Sequence, residues 1–212
     1  MTYRSDIYTI NNHLSLKGFR EGDIVWESSL VIAIRDARKA TGRNEETGIP
    51  DNLTSCGYQG SWLGAIGYLT VLDLIGKTYK PKNQPDLIKT SNTIDKALQY
   101  FGNVTYKDAS AIYALRCSLM HDYNLINFDK KDRNEFNHVF EVDVSGPLVT
   151  HRVSESVIFE LPMKKHSITK VNIKALCDKV EEIYSYLIQL NIVEGLEFKE
   201  NAEVLRKYFC RH

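Results

Sequence analysis

Apolar positions recur along most of this chain at the three-and-four spacing of helices that face a core. Trp26, Leu30, Ala33, Ile34 and Ala37 share one helical face, and Gly42 stands where that helix would stop. From Trp62 to Ile75 only Thr70 and Asp73 are strongly polar, which predicts a central helix buried on most sides. Gly64 and Gly67 would let a second helix approach it closely, or would loosen its start. Ser91 is placed to cap a helix bearing Ile94, Ala97, Leu98 and Phe101, with Gly102 as its stop. A further helix is expected from about Asp108 to His121. Ile173, Leu176, Val180, Ile183, Leu187 and Leu190 follow a 3-4-3-4-3 spacing, the stripe of a long helix for a bundle or a dimer seam. A last helix is expected from about Lys199 to Phe209.

The period changes to two between these helices. Phe136, His138, Phe140, Val142 and Val144 alternate with mostly polar neighbours before Ser145-Gly146-Pro147 breaks the run. Leu148 to Val153 and Val157 to Leu161 follow as further β-rich stretches. Residues from about 41 to 60 and Lys77 to Gln84, with Pro81 and Pro85, are expected as loops. The pattern predicts a single domain over 1–212, mainly α. It is a helical bundle with a small antiparallel β meander, about 136–162, inserted before the long C-terminal helix.

Composition narrows the partners. Lys plus Arg and Asp plus Glu each number 27, so the net charge is zero and any nucleic-acid contact must come from a local patch. The first residues lack a signal-peptide pattern, and the longest mostly apolar run, 14 residues, is too short to span a bilayer. A cytoplasmic protein with no membrane contact is therefore expected. Cys56, Cys117, Cys177 and Cys210 lie far apart with no CxxC, as free thiols would. His138, His151 and His166 lack metal-ligand spacing, and no Gly-rich phosphate loop is present, so neither metal nor cofactor is expected.

One segment carries chemistry. From Ala109 to Met120 the only charged residue is Arg116, whose helical neighbours Ile112, Tyr113, Leu119 and Met120 are apolar or amphipathic. An unpaired buried guanidinium costs several kcal/mol, so Arg116 needs a carboxylate, carbonyls or a phosphate. His121 lies about 140° around the helix and about 7.5 Å along it. RNA cleavage through the 2′-hydroxyl asks for such a pair. An imidazole moves the proton and a forked cation holds the phosphate, with no metal required.

Arg116-Cys117-Ser118-Leu119-Met120-His121 resembles the motif of the HEPN superfamily, Arg then four to six residues then His at the end of a bundle helix. The resemblance covers about 24–128 and 168–190 and leaves the β insert outside. It implies a metal-independent endoribonuclease in which two protomers build one cleft, with Arg116 and His121 catalytic and a toxin or antiviral defence role. The family often has Asn, Asp or His directly after the Arg, where this chain has Cys117. Arg133 with His138 and Arg206 with His212 fit the same spacing, but only Arg116 lies in a core-like helix. Tyr113 and Tyr123 are expected to line the cleft and stack on a base. Asp73, the lone acid of the buried central helix, and Asp122 are also expected on the substrate side of the cleft, and either could instead pair with Arg116 as a structural ion pair. Lys164-Lys165-His166 and Arg206-Lys207 with Arg211-His212 are further phosphate candidates or plain solvated surface. Three readings stand: a homodimeric RNase, a non-catalytic module binding RNA or a protein partner through the β insert, and a structural helical dimer held by the 173–190 stripe.

Overall fold

The computed structural model describes residues 9–51, 62–87, 92–121, 123–127, 138–154, 166–199 and 209–211. Helical residues 9–14 (α1) lead to strands β1 (Phe19–Glu21) and β2 (Ile24–Ser28), then helix α2 (Ser29–Ala40). Helix α3 (Trp62–Thr78) runs into β3 (Tyr79–Pro81), followed by α4 (Thr93–Gly102) and α5 (Tyr106–His121). Strands β4 (Ile126–Asn127), β5 (His138–Asp143), β6 (Val149–Ser154) and β7 (His166–Asn172) precede α6 (Ile173–Ile192). Strands β8 (Leu196–Phe198) and β9 (Phe209–Arg211) complete the order.

Helices α1 to α6 share one apolar core with Tyr79, Phe140, Val149, Val171 and Leu196 from the strands. Close backbone approach sets its density. A Cβ on Gly67 would fall 2.9 Å from the Ala37 Cβ, which is why α2 can lie against α3. A Cβ on Gly76 would run into the Thr93 carbonyl, so α3 and the start of α4 touch backbone to backbone.

Three sheets among the described residues, ordered β1-β2-β9, β3-β8 and β4-β5-β7-β6, make this a mixed α/β protein. The expectation of a mainly helical bundle is corrected by them. All nine of these strands have seven residues or fewer, and β2, β3 and β7 run directly into or out of helices whose periodicity absorbs them. Trp26, expected on a helix, sits in β2, and the helix begins after the Ser28 cap. The expected loop from Lys77 contains β3, and Phe209, expected in a last helix, opens β9. Asn92 caps α4, and its stop is Asn103 in the left-handed region rather than Gly102. Ser91 lies outside the described residues.

The β insert is also not a meander. β5 and β6 form where alternation predicts them, but β7 lies between them, parallel to β5 and antiparallel to β6. β7 joins α6 directly through the Asn172 cap, so its alternation merges with the helical stripe. Val157 to Leu161 falls outside the described residues. The stripe itself turns inward. Ile173, Leu176, Val180, Ile183 and Leu187 are buried in the protomer's own core, so they supply no dimer seam.

Loop residues 41–51 are tied to α6 by two buried arginines. Arg38 donates to both carboxylate oxygens of Glu181 (2.9 and 2.7 Å) and to the carbonyls of Glu45 and Glu46, and it lies over the Tyr184 ring. Tyr68 donates to the same Glu181 at 2.7 Å, and Arg43 pairs with Asp178.

Candidate functional site

α5 starts on Thr105, whose hydroxyl accepts from the Asp108 N–H at 3.2 Å and donates to the Asp108 carboxylate. Small residues then let it sink between its neighbours. Ala109, Ser110, Ala111, Ile112, Ala114, Leu115, Ser118 and Leu119 are buried. What remains open is one stripe near the C-terminal end. Tyr113, Arg116 and Cys117 are half-buried, while Met120 and His121 are exposed. At 100° per residue, Tyr113, Cys117 and Met120 form the middle of the stripe, and Arg116 and His121 form its two edges.

Arg116 reaches α3. Its Nη2 donates to Asp73 Oδ2 at 3.2 Å, and the side chains remain 26% and 35% exposed. The Thr93 hydroxyl, in the first turn of α4, donates to the other Asp73 oxygen. Burial pushes the Tyr113 phenol above its usual range; Cys117, hydrogen-bonded to it, and Asp73 add to this, and Arg116 opposes it. Asp73, Thr93, Tyr113, Arg116 and Cys117 thus converge from three helices.

A comparison with Arg38 shows what Arg116 lacks. Arg38 is 3% exposed and makes four hydrogen bonds. Arg116 makes a single one among the described residues, out of five donors on a guanidinium. A pair as accessible as Arg116–Asp73 contributes about 1 kcal/mol or less. Arg38 spends its donors on the fold, whereas most of those of Arg116 meet no acceptor among the described residues.

His121 sits on the far edge of the stripe, and no hydrogen bond joins it to Arg116 among the described residues. Tyr123, 65% exposed, follows with φ 49°, a left-handed conformation unusual for a bulky side chain. The sequence reading names Asp73 and Tyr113, which do join Arg116, whereas Asp122 lies outside the described residues. Thr93 is missed, because nothing local sets a helix-opening Thr apart from any other.

Of the competing motif matches, His138 alone lies among the described residues. His138 is buried at the start of β5 in the four-stranded sheet, 2.9 Å from the Thr169 hydroxyl and stacked on Phe140. Arg133, Lys164, Lys165, Arg206, Lys207 and His212 lie outside the described residues, and Arg211 is exposed on β9. His151 contacts Asp108 at 2.9 Å, tying β6 to the start of α5. No group of three His, Cys, Asp or Glu side chains converges as a metal site among the described residues. Nor is any helix there long and apolar enough to cross a membrane.

Comparison of the chain with protein-family models, curated proteins and solved structures finds no match.

Proposed function

We propose that this protein is a metal-independent endoribonuclease of HEPN type, acting at a cleft between two copies. Arg116 grips the scissile phosphate and His121 moves the proton. The observation that carries the reading is the open stripe at the end of α5. It combines a cation whose other donors are unused among the described residues, an accessible imidazole and aromatic rings on a helix buried along most of its length. The strained Tyr123 beside His121 adds weight, since costly backbone conformations cluster at working sites.

The 140° separation bears on stoichiometry. One phosphodiester cannot readily take both groups from one helix, whereas two stripes facing each other bring Arg116 of one copy towards His121 of its partner. There His121 withdraws the 2′-hydroxyl proton, and the oxygen attacks phosphorus as the bond to the 5′-oxygen breaks. An imidazolium returns a proton to that leaving oxygen, and the products are a 2′,3′-cyclic phosphate and a 5′-hydroxyl end. Arg116 stabilises the charge gathering on the phosphoryl oxygens. Tyr113 and Tyr123 offer ring faces to unstacked bases. A role in toxicity or antiviral defence follows from the resemblance alone.

The test is cleavage of mixed RNA in EDTA. Wild-type protein is expected to cut, and folded Arg116→Ala and His121→Ala are expected to lose about 10²- to 10⁴-fold. Absence of cutting by the wild type, or full activity in His121→Ala, would refute the enzyme. A second reading is favoured by Cys117 and by the Arg116–Asp73 pair: a non-catalytic module that binds RNA, or a protein partner through its β strands. It predicts an RNA shift without cleavage, lost in Arg116→Ala.

A further inference from the structure

Asp73 offers two carboxylate oxygens, and each is taken by a different helix. Oδ1 accepts from the Thr93 hydroxyl on α4, and Oδ2 accepts from Arg116 on α5. We propose that Thr93 and Asp73 are positioning residues for Arg116, a relay across three helices that fixes the guanidinium while leaving most of its donors to a phosphodiester. The inference rests on the RNA-phosphate reading above and deepens it by naming what holds the cation.

The relay begins in backbone contact. Gly76 and Asp73 lie three residues apart on one face of α3, and the missing Cβ of Gly76 lets the Thr93 carbonyl settle against it. That approach sets the Thr93 hydroxyl over Asp73. The Asn92 cap, accepting from the Asp95 N–H at 2.8 Å, fixes the turn from which Thr93 projects. A carboxylate held at one oxygen has lost its free rotation, so its second oxygen becomes a fixed point for the guanidinium.

The single contact matters as much as the fixing. A bidentate grip like that of Glu181 on Arg38 would occupy the fork that recognises phosphate. An Arg116 with no carboxylate would sample many rotamers before meeting its substrate. One hydrogen bond from Nη2 restrains the long side chain and leaves the remaining donors available.

The experiment follows the Arg116 guanidinium by nitrogen NMR in wild type, Thr93→Val and Thr93→Ser, with Arg116→Lys assigning the signals. Affinity for a labelled oligoribonucleotide is measured on the same samples. Thr93→Val is expected to average the Nη signals by faster rotation and to weaken RNA binding about tenfold, while Thr93→Ser keeps both. Unchanged Arg116 signals in Thr93→Val would overturn the relay whatever the RNA does, and a lowered Tm alone would leave Thr93 a mere helix clamp. If Thr93→Val fails to fold, Asp73→Asn carries the same expectation. Averaged signals alongside a wild type that neither binds nor cuts RNA would keep the relay and discard the RNA reading.

Discussion

Two buried ionisable side chains make the stability of this protein depend on pH in opposite directions. His13 is fully buried, its Nδ1 2.5 Å from the Tyr79 hydroxyl, and burial lowers it from 6.5 to about 4. The folded chain resists this proton more than the unfolded chain does. The associated stability is complete above pH 6.5 and is lost as pH falls through about 4, a loss of about 3 kcal/mol. Asp95, buried at the start of α4 with one oxygen unpartnered, is raised by burial from 3.8 to about 6. Its contribution is present below 3.8 and lost as pH rises through about 6, again by about 3 kcal/mol. The two largely cancel between pH 6 and 4. Asp95→Asn is therefore expected to gain stability at pH 8 and to expose a steep acid loss that the wild type hides. Melting curves from pH 4 to 8 decide this, and parallel profiles for the two proteins would count against it.

Between elements, the contrast of the two arginines sets a second expectation. Arg38 joins α2, the following loop and α6 from a buried position, and its loss leaves the Glu181 carboxylate without its cation, held by the Tyr68 hydroxyl. Arg38→Met is expected to cost about 3–5 kcal/mol, whereas Arg116→Met costs about 1 kcal/mol or less. Denaturant titrations measure both. Equal losses would make Arg116 a structural cation and would remove the main support for its work on phosphate. The same contrast separates what sequence reveals from what it hides. Arg116 stands out as the one charge between Ala109 and Met120, yet Arg38 is flanked by Asp36 and Lys39 and reads as surface. Only the return of Glu181, 143 residues later, makes Arg38 a core residue.

For the molecule as a whole, the proposed function requires a face that meets a second copy. The α6 stripe is committed to the chain's own core, so the proposed cleft is built on the open stripe of α5. Met120, 45% exposed, lies near its middle. A charge placed there is expected to separate the copies, because a carboxylate buried against an apolar partner surface has no compensation. Met120→Glu should give the protomer mass by light scattering, keep the wild-type circular-dichroism spectrum, and lose RNA cleavage together with the dimer. A monomeric wild type that cleaves RNA at full rate would refute the shared cleft.

Local pattern alone determined α3, most of α5 and α6, since runs of apolar side chains at helical spacing need no distant partner to be recognised. It also determined that Arg116 requires an anion, because desolvating a guanidinium is costly wherever the helix lies. The small sheets were decided by tertiary structure. Strands of three residues carry too few side chains to show a period, and β7 acquires its parallel neighbour β5 from a distant part of the chain. The site divides in the same way. The helix supplied Arg116, His121 and Tyr113, but Thr93 reached Asp73 only because Gly76 let two backbones touch. That contact depends on the absence of a side chain, and its meaning appears only when the second helix is in place.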